Sequence, residues 1–293
     1  MPGVKQLIVG ADGGIGKALA AALRARGRTP LLTTRRPASP NTGSPEPLHL
    51  DLAGDLRFWS PPEDTNAAFL CAAVTATDIC RQNVAQTRLV NVENTVLVAE
   101  RLVRRGAFVI FLSTNLVFDG SVPCCNASAP VRPRTEYGRQ KAEAEARLLA
   151  LGPSVAVVRL SKVITPVFPL FLNWSAALAQ GRPVAPFLDM GLSPVPMAAL
   201  LPVLLGLGDR RQGGIWQLSA TDELSYAQAA LQLCRHMGAN EALVQPVSWR
   251  RACPDLEHVP AHTTLDCSRL SQALSFAPLT AAAALAQCFG EMK

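Results

Sequence analysis

The sequence predicts an α/β protein with a doubly wound parallel sheet, followed by a smaller C-terminal α/β part. Strand-like and helix-like segments alternate to about residue 160. The strand segments are unbroken apolar runs rather than alternating ones, as a parallel sheet covered on both faces requires. The 293 residues are 49% hydrophobic and only 17% charged, which is enough apolar chain for a large core and excludes a disordered protein.

A first strand is predicted over residues 4–9 (VKQLIV), ending in glycines. A helix follows, with Ile15, Leu19, Ala22 and Leu23 at helical spacing, and stops at Gly27. Residues 30–34 form the next strand. Residues 37–47 (PASPNTGSPEP) are rich in turn formers and read as a surface loop. Strands are expected at 48–52 and 67–73 (AAFLCAA), and a mostly helical stretch at 84–105. Residues 107–112 (AFVIFL) are the clearest strand in the chain. The strong helix formers of 136–151 are halted by Gly152-Pro153, and 155–160 (VAVVRL) gives a further strand. Beyond 160 the pattern loosens, with helices predicted at 170–180, 196–207 and 225–237 and strands at 215–219 and 243–247. The chain therefore divides into a first domain of residues 1–160 and a second part of 161–293, with interleaving left open.

Composition removes several function classes. The net charge of +6 is scattered, with its densest cluster at Arg101, Arg104 and Arg105. That is no nucleic-acid stripe, though it suits an anionic small-molecule ligand. The eight cysteines form no CxxC pair and the four histidines lack ligand spacing, so no metal site is expected. Free cysteines and the absence of a signal-peptide pattern favour a cytoplasmic location. Residues 163–181 and 190–208 carry no charge, but Pro166, Pro169, Pro194, Pro196 and Pro202 break them into shorter elements, so no membrane span is expected.

The glycine loop Gly10-Ala11-Asp12-Gly13-Gly14-Ile15-Gly16 sits between the first strand and the first helix. Glycines let a backbone turn tightly and approach a pyrophosphate, and the helix start supplies unpaired N–H groups. Alone the loop is a weak signal, a glycine-rich turn with no ligand being the alternative; its position between strand and helix favours dinucleotide binding. Gly16-Lys17 is no nucleoside-triphosphate loop, because Ala11 and Ala18 replace the glycine and hydroxyl residue it needs. The second strand ends in Thr33-Thr34-Arg35-Arg36, without the carboxylate that accepts from an NAD ribose. Arg35 and Arg36 suit a 2′-phosphate, so NADPH is favoured over NADH. Asp51 reads either as an adenine neighbour or as a strand-end cap.

Tyr137 and Lys141 form a YxxxK pair on one helix face. The ammonium is expected to lower the tyrosine pKa and to hold the nicotinamide ribose, so that the phenol exchanges a proton with a carbonyl oxygen. Ser113 and Thr114 follow the strongest strand, where a hydroxyl would reach the same oxygen.

Taken together, Gly10 to Gly16, Leu50-Asp51-Leu52, Ala72-Ala73, Asn91, residues 113–120 (STNLVFDG) and Tyr137 to Lys141 resemble the extended short-chain dehydrogenase/reductases. The closer resemblance is to the dTDP-4-dehydrorhamnose reductase branch and its sugar-nucleotide-binding relatives. Weaker matches run on through 158–160, 193–195 and 264–266. The resemblance implies a Rossmann-type cofactor domain and a Thr114–Tyr137–Lys141 triad, with Ser113 a neighbour of that site. It adds Leu52, Ala72, Ala73 and Asn91 to the cofactor site, Asn91 as support for a proton relay. It implies a C-terminal substrate part in which Lys162, Asn173, Trp174 and Arg182 are candidates, Trp174 being a base-stacking or a core residue. The implied substrate is a keto group on a nucleotide-linked deoxysugar. Lys162, in the neighbourhood where the family's rhamnose-pathway reductases usually carry an aromatic residue, leaves the sugar open, and with it a reductase of non-sugar carbonyls. An epimerase or dehydratase of the same superfamily, and a non-catalytic cofactor-binding subunit, are the alternatives. A homodimer is compatible with the sequence.

Overall fold

The computed structural model describes residues 5–36 and 47–292, so all but the last residue of the expected loop at 37–47 lies outside the described residues. The strands are β1 (Lys5–Val9), β2 (Leu31–Thr34), β3 (Leu48–His49), β4 (Thr65–Leu70), β5 (Phe108–Thr114), β6 (Val155–Leu160), β7 (Lys162–Ile164), β8 (Gly191–Leu192), β9 (Pro194–Pro196), β10 (Gly214–Leu218) and β11 (Leu224–Ser225). The helices of the first 160 residues are α1 (Gly14–Ala25), α2 (Thr77–Gln82), α3 (Val84–Arg88), α4 (Thr95–Arg104) and α5 (Glu136–Leu149), with a π-helical turn at Leu89–Asn94. Next come α6 (Pro169–Ala179), α7 (Met197–Arg210) and α8 (Tyr226–His236), then α9 (Trp249–Ala252), α10 (Ser268–Leu274) and α11 (Ala281–Gly290).

Seven strands form one sheet in the order β10-β6-β5-β4-β1-β2-β3, and β1 runs parallel to β2 and β4, β2 to β3, and β4 to β5. Chain order reverses at β1 and β4, and ligands of such sheets bind at the carboxyl ends beside that switch. The apolar runs are buried as predicted: every residue of β5 and of β6 is inside. Leu7, Val9, Leu70 and Phe111 pack in one core cluster with Val98 and Leu102 of α4 and Leu148 of α5. On the other face Gly208 of α7 lies against Phe69 and Ile110, where a Cβ would come within 3.2 Å of the Phe69 ring.

Contacts divide the chain into two compact units. The first comprises Met1–Val117, Pro133–Arg159 and Leu201–Trp216; the second comprises Phe118–Arg132, Leu160–Leu200 and Gln217–Lys293. A single cut after residue 160 therefore does not describe it. The second unit contains two short ribbons, β7 parallel to β9 and β8 antiparallel to β11. Its core joins Phe171 and Trp174 of α6, Leu233 of α8, and Leu285 and Phe289 of α11. The strand expected at 243–247 is not formed. A 3-10 turn at Glu241–Leu243 leads instead into two isolated bridges, Val184 to Val244 and Phe187 to Val247. Pro246 sits between the bridges and has no N–H to extend a ladder.

Candidate active site

The loop after β1 is shaped by two glycines. Gly10 has φ +86°, and a Cβ there would lie 2.7 Å from the backbone nitrogen of Ala72; one on Gly16 would lie 2.3 Å from the Gly10 carbonyl oxygen. Neither position accepts a side chain. Gly14 meets nothing within 4 Å, so packing does not explain its lack of a Cβ. Gly13 caps α1 without a side-chain hydrogen bond, and the first turn carries no acid. The first N–H groups of that turn, where Ile15 is half-buried, have no acceptor within the helix, as at any helix start, and such a turn favours an anion. These features fit a dinucleotide pyrophosphate.

Sequence reasoning did not weigh Asp12. Thr34 Oγ1 donates to Asp12 Oδ2 at 2.6 Å, and the Arg36 N–H donates to Thr34 Oγ1 at 3.0 Å. This ties the glycine loop to the end of β2 and commits the Thr34 hydroxyl proton to Asp12. Arg35 and Arg36 are exposed beside it. Asp51 caps a turn: its Oδ1 accepts the Ala53 N–H at 2.9 Å and its carbonyl accepts Gly54 at 3.0 Å. Leu52 is buried, and its carbonyl accepts from Asn94.

β4 stops at Leu70 because the N–H groups of Cys71 and Ala72 both turn onto the Val9 carbonyl, at 2.9 and 3.0 Å. Ala72 thereby comes against Gly10 of the glycine loop, and Ala73, like it half-buried, follows.

The residues expected to handle the proton, Thr114, Tyr137 and Lys141, lie on β5 and α5. Thr114 ends β5, with its Oγ1 accepting the Leu116 N–H at 3.2 Å. Thr135 caps α5 by accepting the Gly138 N–H at 3.0 Å. A Cβ on Gly138 would sit 2.2 Å from the Leu116 carbonyl oxygen, so glycine lets the first turn of α5 press on the segment that follows Thr114. Thr114 and Tyr137 are each 8% exposed and Lys141 2%. Lys141 Nζ lies over the Phe111 ring, 3.8 Å from its centroid.

Burial, rather than a neighbouring cation, governs both titrations. It pushes the Tyr137 phenol above its ordinary value and pulls the Lys141 ammonium down to about 7, against the opposing pull of Glu145. The expected lowering of the tyrosine is therefore not seen: desolvation of the phenolate outweighs any help from Lys141. Cys71, beside Lys141, is itself pushed up to about 12 by burial and stays a thiol.

Around these groups lies a buried polar scaffold that the sequence only partly discloses. Asn91 sits in the π-helical turn and is 1% exposed. Its Oδ1 accepts the Val74 N–H at 2.8 Å, while its Nδ2 donates to the Val74 carbonyl at 2.9 Å and to Gln140 Oε1 at 2.8 Å. Gln140 Nε2 donates in turn to Thr87 and Glu136. A second network joins the Ser113 hydroxyl to Glu145, which pairs with Arg159 at 2.7 Å, both charges being 3% exposed. The sequence places Gln140 and Arg159 within matched stretches without giving them a role and does not single out Glu145; a charge inside VAVVRL was the available signal for the pair.

The four residues considered for substrate lie in the second unit. Trp174 is 7% exposed and packs on Phe171 and Tyr226, so its surroundings are those of a core residue and not of a stacking platform. Asn173 is exposed on α6. Lys162 is exposed, with its Nζ 5.4 Å from the Phe168 ring centre. Arg182 is exposed and donates to Gln180 at 2.9 Å. No cluster of three or more metal-ligating side chains occurs among the described residues, and no helix there is long and apolar enough to cross a membrane.

The family model described as the RmlD substrate binding domain matches residues 4–293. The chain belongs to this family. The RmlD-type chain is 25% identical over 287 residues to the dTDP-4-dehydrorhamnose reductase of Aggregatibacter actinomycetemcomitans, covering 93% of this chain and 94% of that protein. It is 29% identical over 279 residues to the protein of the same name from Streptomyces griseus, with 92% and 87% covered. In fold, it matches the dTDP-4-dehydrorhamnose reductase of Bacillus anthracis in complex with NADP, with a TM-score of 0.83 at 19% identity over 99% of this chain and 100% of that one. The seven-stranded sheet flanked by helices is thus that of an RmlD-type member of the extended short-chain dehydrogenase/reductases.

Proposed function

We propose that the chain is an NADPH-dependent reductase of a keto group on a nucleotide-linked deoxysugar, the activity class for which its full-length relatives are named. The observation that carries this reading is the grouping of Thr114, Tyr137 and Lys141: a hydroxyl at the end of β5, and a buried phenol and ammonium one turn apart on α5.

A nicotinamide cofactor, when bound, supplies hydrogen and two electrons to the carbonyl carbon. Tyr137, kept protonated by burial, gives its phenolic proton to the carbonyl oxygen, which becomes the hydroxyl. Thr114 Oγ1 donates to that oxygen and fixes its direction. Lys141, whose pKa burial pulls down to about 7, would in its ammonium form offset the charge left on the phenolate until a proton returns to Tyr137 from solvent. Its ammonium also donates to the ribose hydroxyls. Gly10, Gly13, Gly14, Ile15 and Gly16 cradle the pyrophosphate. Arg35 and Arg36 favour NADPH, because β2 ends without a carboxylate and both guanidiniums are exposed there. The deciding experiment is a panel of nucleotide-linked 4-keto sugars scored by loss of NADPH absorbance. Turnover of at least one member is expected; no turnover by a folded chain that binds NADPH would favour the non-catalytic alternative.

A further inference from the structure

Gln6 on β1 is 2% exposed, and its side-chain Oε1 has no hydrogen-bond partner among the described residues. Nearly all such buried oxygens are satisfied, so an orphan asks what would pair with it. Gln6 lines a cleft of about 840 Å³ together with Lys5, Arg28, Asn66, Asp209 and Arg211. The cleft lies at the amino ends of β1 and β4, whereas the glycine loop follows the carboxyl end of β1. Its volume is that of a small-molecule site.

The β1–β4 ladder is irregular beside this cleft. Lys5 pairs with Thr65 but Gln6 pairs with Ala67, leaving Asn66 as an extra residue in β4. Bulges of this kind re-aim side chains and gather beside functional sites. The charges are unequal. Lys5, Arg28 and Arg211 line the cleft with a single carboxylate, Asp209, a formal surplus of two positive charges. Arg28 pairs with Asp209 at 2.6 Å, and Lys5 pairs with the exposed Asp64 at 3.5 Å. Arg211 is anchored by the carbonyls of Asn66 and Gly106, at 3.2 and 2.8 Å. A phosphate would be drawn to this positive lining, and once the buried Gln6 amide turns toward the cleft, a hydroxyl or N–H on the same molecule would satisfy its Oε1.

We propose that this cleft is a second ligand site, separate from the glycine loop, for small phosphate monoesters that carry a hydrogen-bond donor for Gln6. Calorimetric titration of the full chain with glucose 1-phosphate, dTMP and inorganic phosphate tests it. The first two probes separate a sugar hydroxyl from a base N–H as the donor, and phosphate alone reports simple anion attraction. Saturable binding of at least one monoester is expected, tighter than inorganic phosphate. Gln6→Leu, which keeps the apolar stem and removes the amide, should weaken it about tenfold. Lys5→Glu, at an exposed position that does not endanger the fold, should weaken it similarly. NADPH should leave the affinity unchanged in both titration and competition. Absence of monoester binding, affinity no better than inorganic phosphate, insensitivity to both substitutions, or displacement by NADPH would each overturn the proposal.

Discussion

Asn91 Nδ2 donates to Gln140 Oε1 at 2.8 Å, and Gln140 is the residue before Lys141. The same Asn91 amide holds both backbone groups of Val74. One side chain thus ties the loop after β4 to α5, which carries Tyr137 and Lys141. The π-helical turn around Asn91 is an irregularity found often at functional sites.

Asn91→Ala should leave the Val74 N–H and the Gln140 amide unpaired inside the fold. Each buried orphan costs about 1–3 kcal/mol, so a loss of about 2–4 kcal/mol in denaturant stability is expected. Turnover should fall as well, because α5 loses a restraint beside Lys141. A variant with parent stability and parent rate would contradict the role given to this link.

The glycine loop separates packing from ligand approach. Gly16→Ala should damage the loop itself, since its Cβ would lie 2.3 Å from the Gly10 carbonyl oxygen. Gly14→Ala meets nothing within 4 Å, and alanine is the better helix former by up to about 1 kcal/mol. The empty Gly14→Ala chain should therefore be as stable as the parent, yet bind NADPH at least about tenfold more weakly. Thermal unfolding with and without NADPH reads both quantities.

Lys141 makes stability and function oppose each other. Its folded value is pulled from 10.5 to about 7. Between those values the unfolded chain binds the extra proton, so the residue's contribution to stability rises with pH across that window. At pH 7 and below most or all of the penalty is present; near pH 10.5 it vanishes. Lys141→Met should thus stabilise the empty chain at pH 7 by about 1–3 kcal/mol, after loss of the Phe111 contact is set against it. The gain should fade toward pH 10.5, and turnover and NADPH affinity should both drop. Denaturation of the two chains across pH checks the first claim; a pH-independent difference would contradict it.

Cofactor choice is expected to rest on Arg35 and Arg36. A charge-assisted contact to a 2′-phosphate contributes about 1.5–3 kcal/mol, so NADPH should bind at least about tenfold tighter than NADH. Removing both guanidiniums should abolish the difference. Calorimetry with both cofactors decides it, and equal affinity in the parent chain would count against the assignment.

The sheet was legible because its inner strands, such as 107–112 and 155–160, are apolar without interruption and are buried on both faces. The second unit was less so. β7 and β9 are three residues each, and proline occupies both ends of β9, so neither alternation nor length marks them. The proposed triad was read from the YxxxK spacing of Tyr137 and Lys141 and, for Thr114, from the family resemblance. Its supports were not legible: Gln140 looks like a surface position on a polar helix until Asn91 and Thr87 are brought to it. Glu145 and Arg159 are 14 apart in sequence and meet only when α5 packs against the sheet.

The central claim is that Tyr137 delivers the proton, and Tyr137→Phe tests it most directly, because only the phenol oxygen is lost from a ring that is 8% exposed. The measurement is the rate of NADPH-dependent reduction of the best nucleotide-linked 4-keto sugar, alongside NADPH affinity. Affinity should stay within a few-fold of the parent while turnover falls by about 10²–10⁴. Reduction at the parent rate would show that Tyr137 is a packing residue on α5 and not the proton donor.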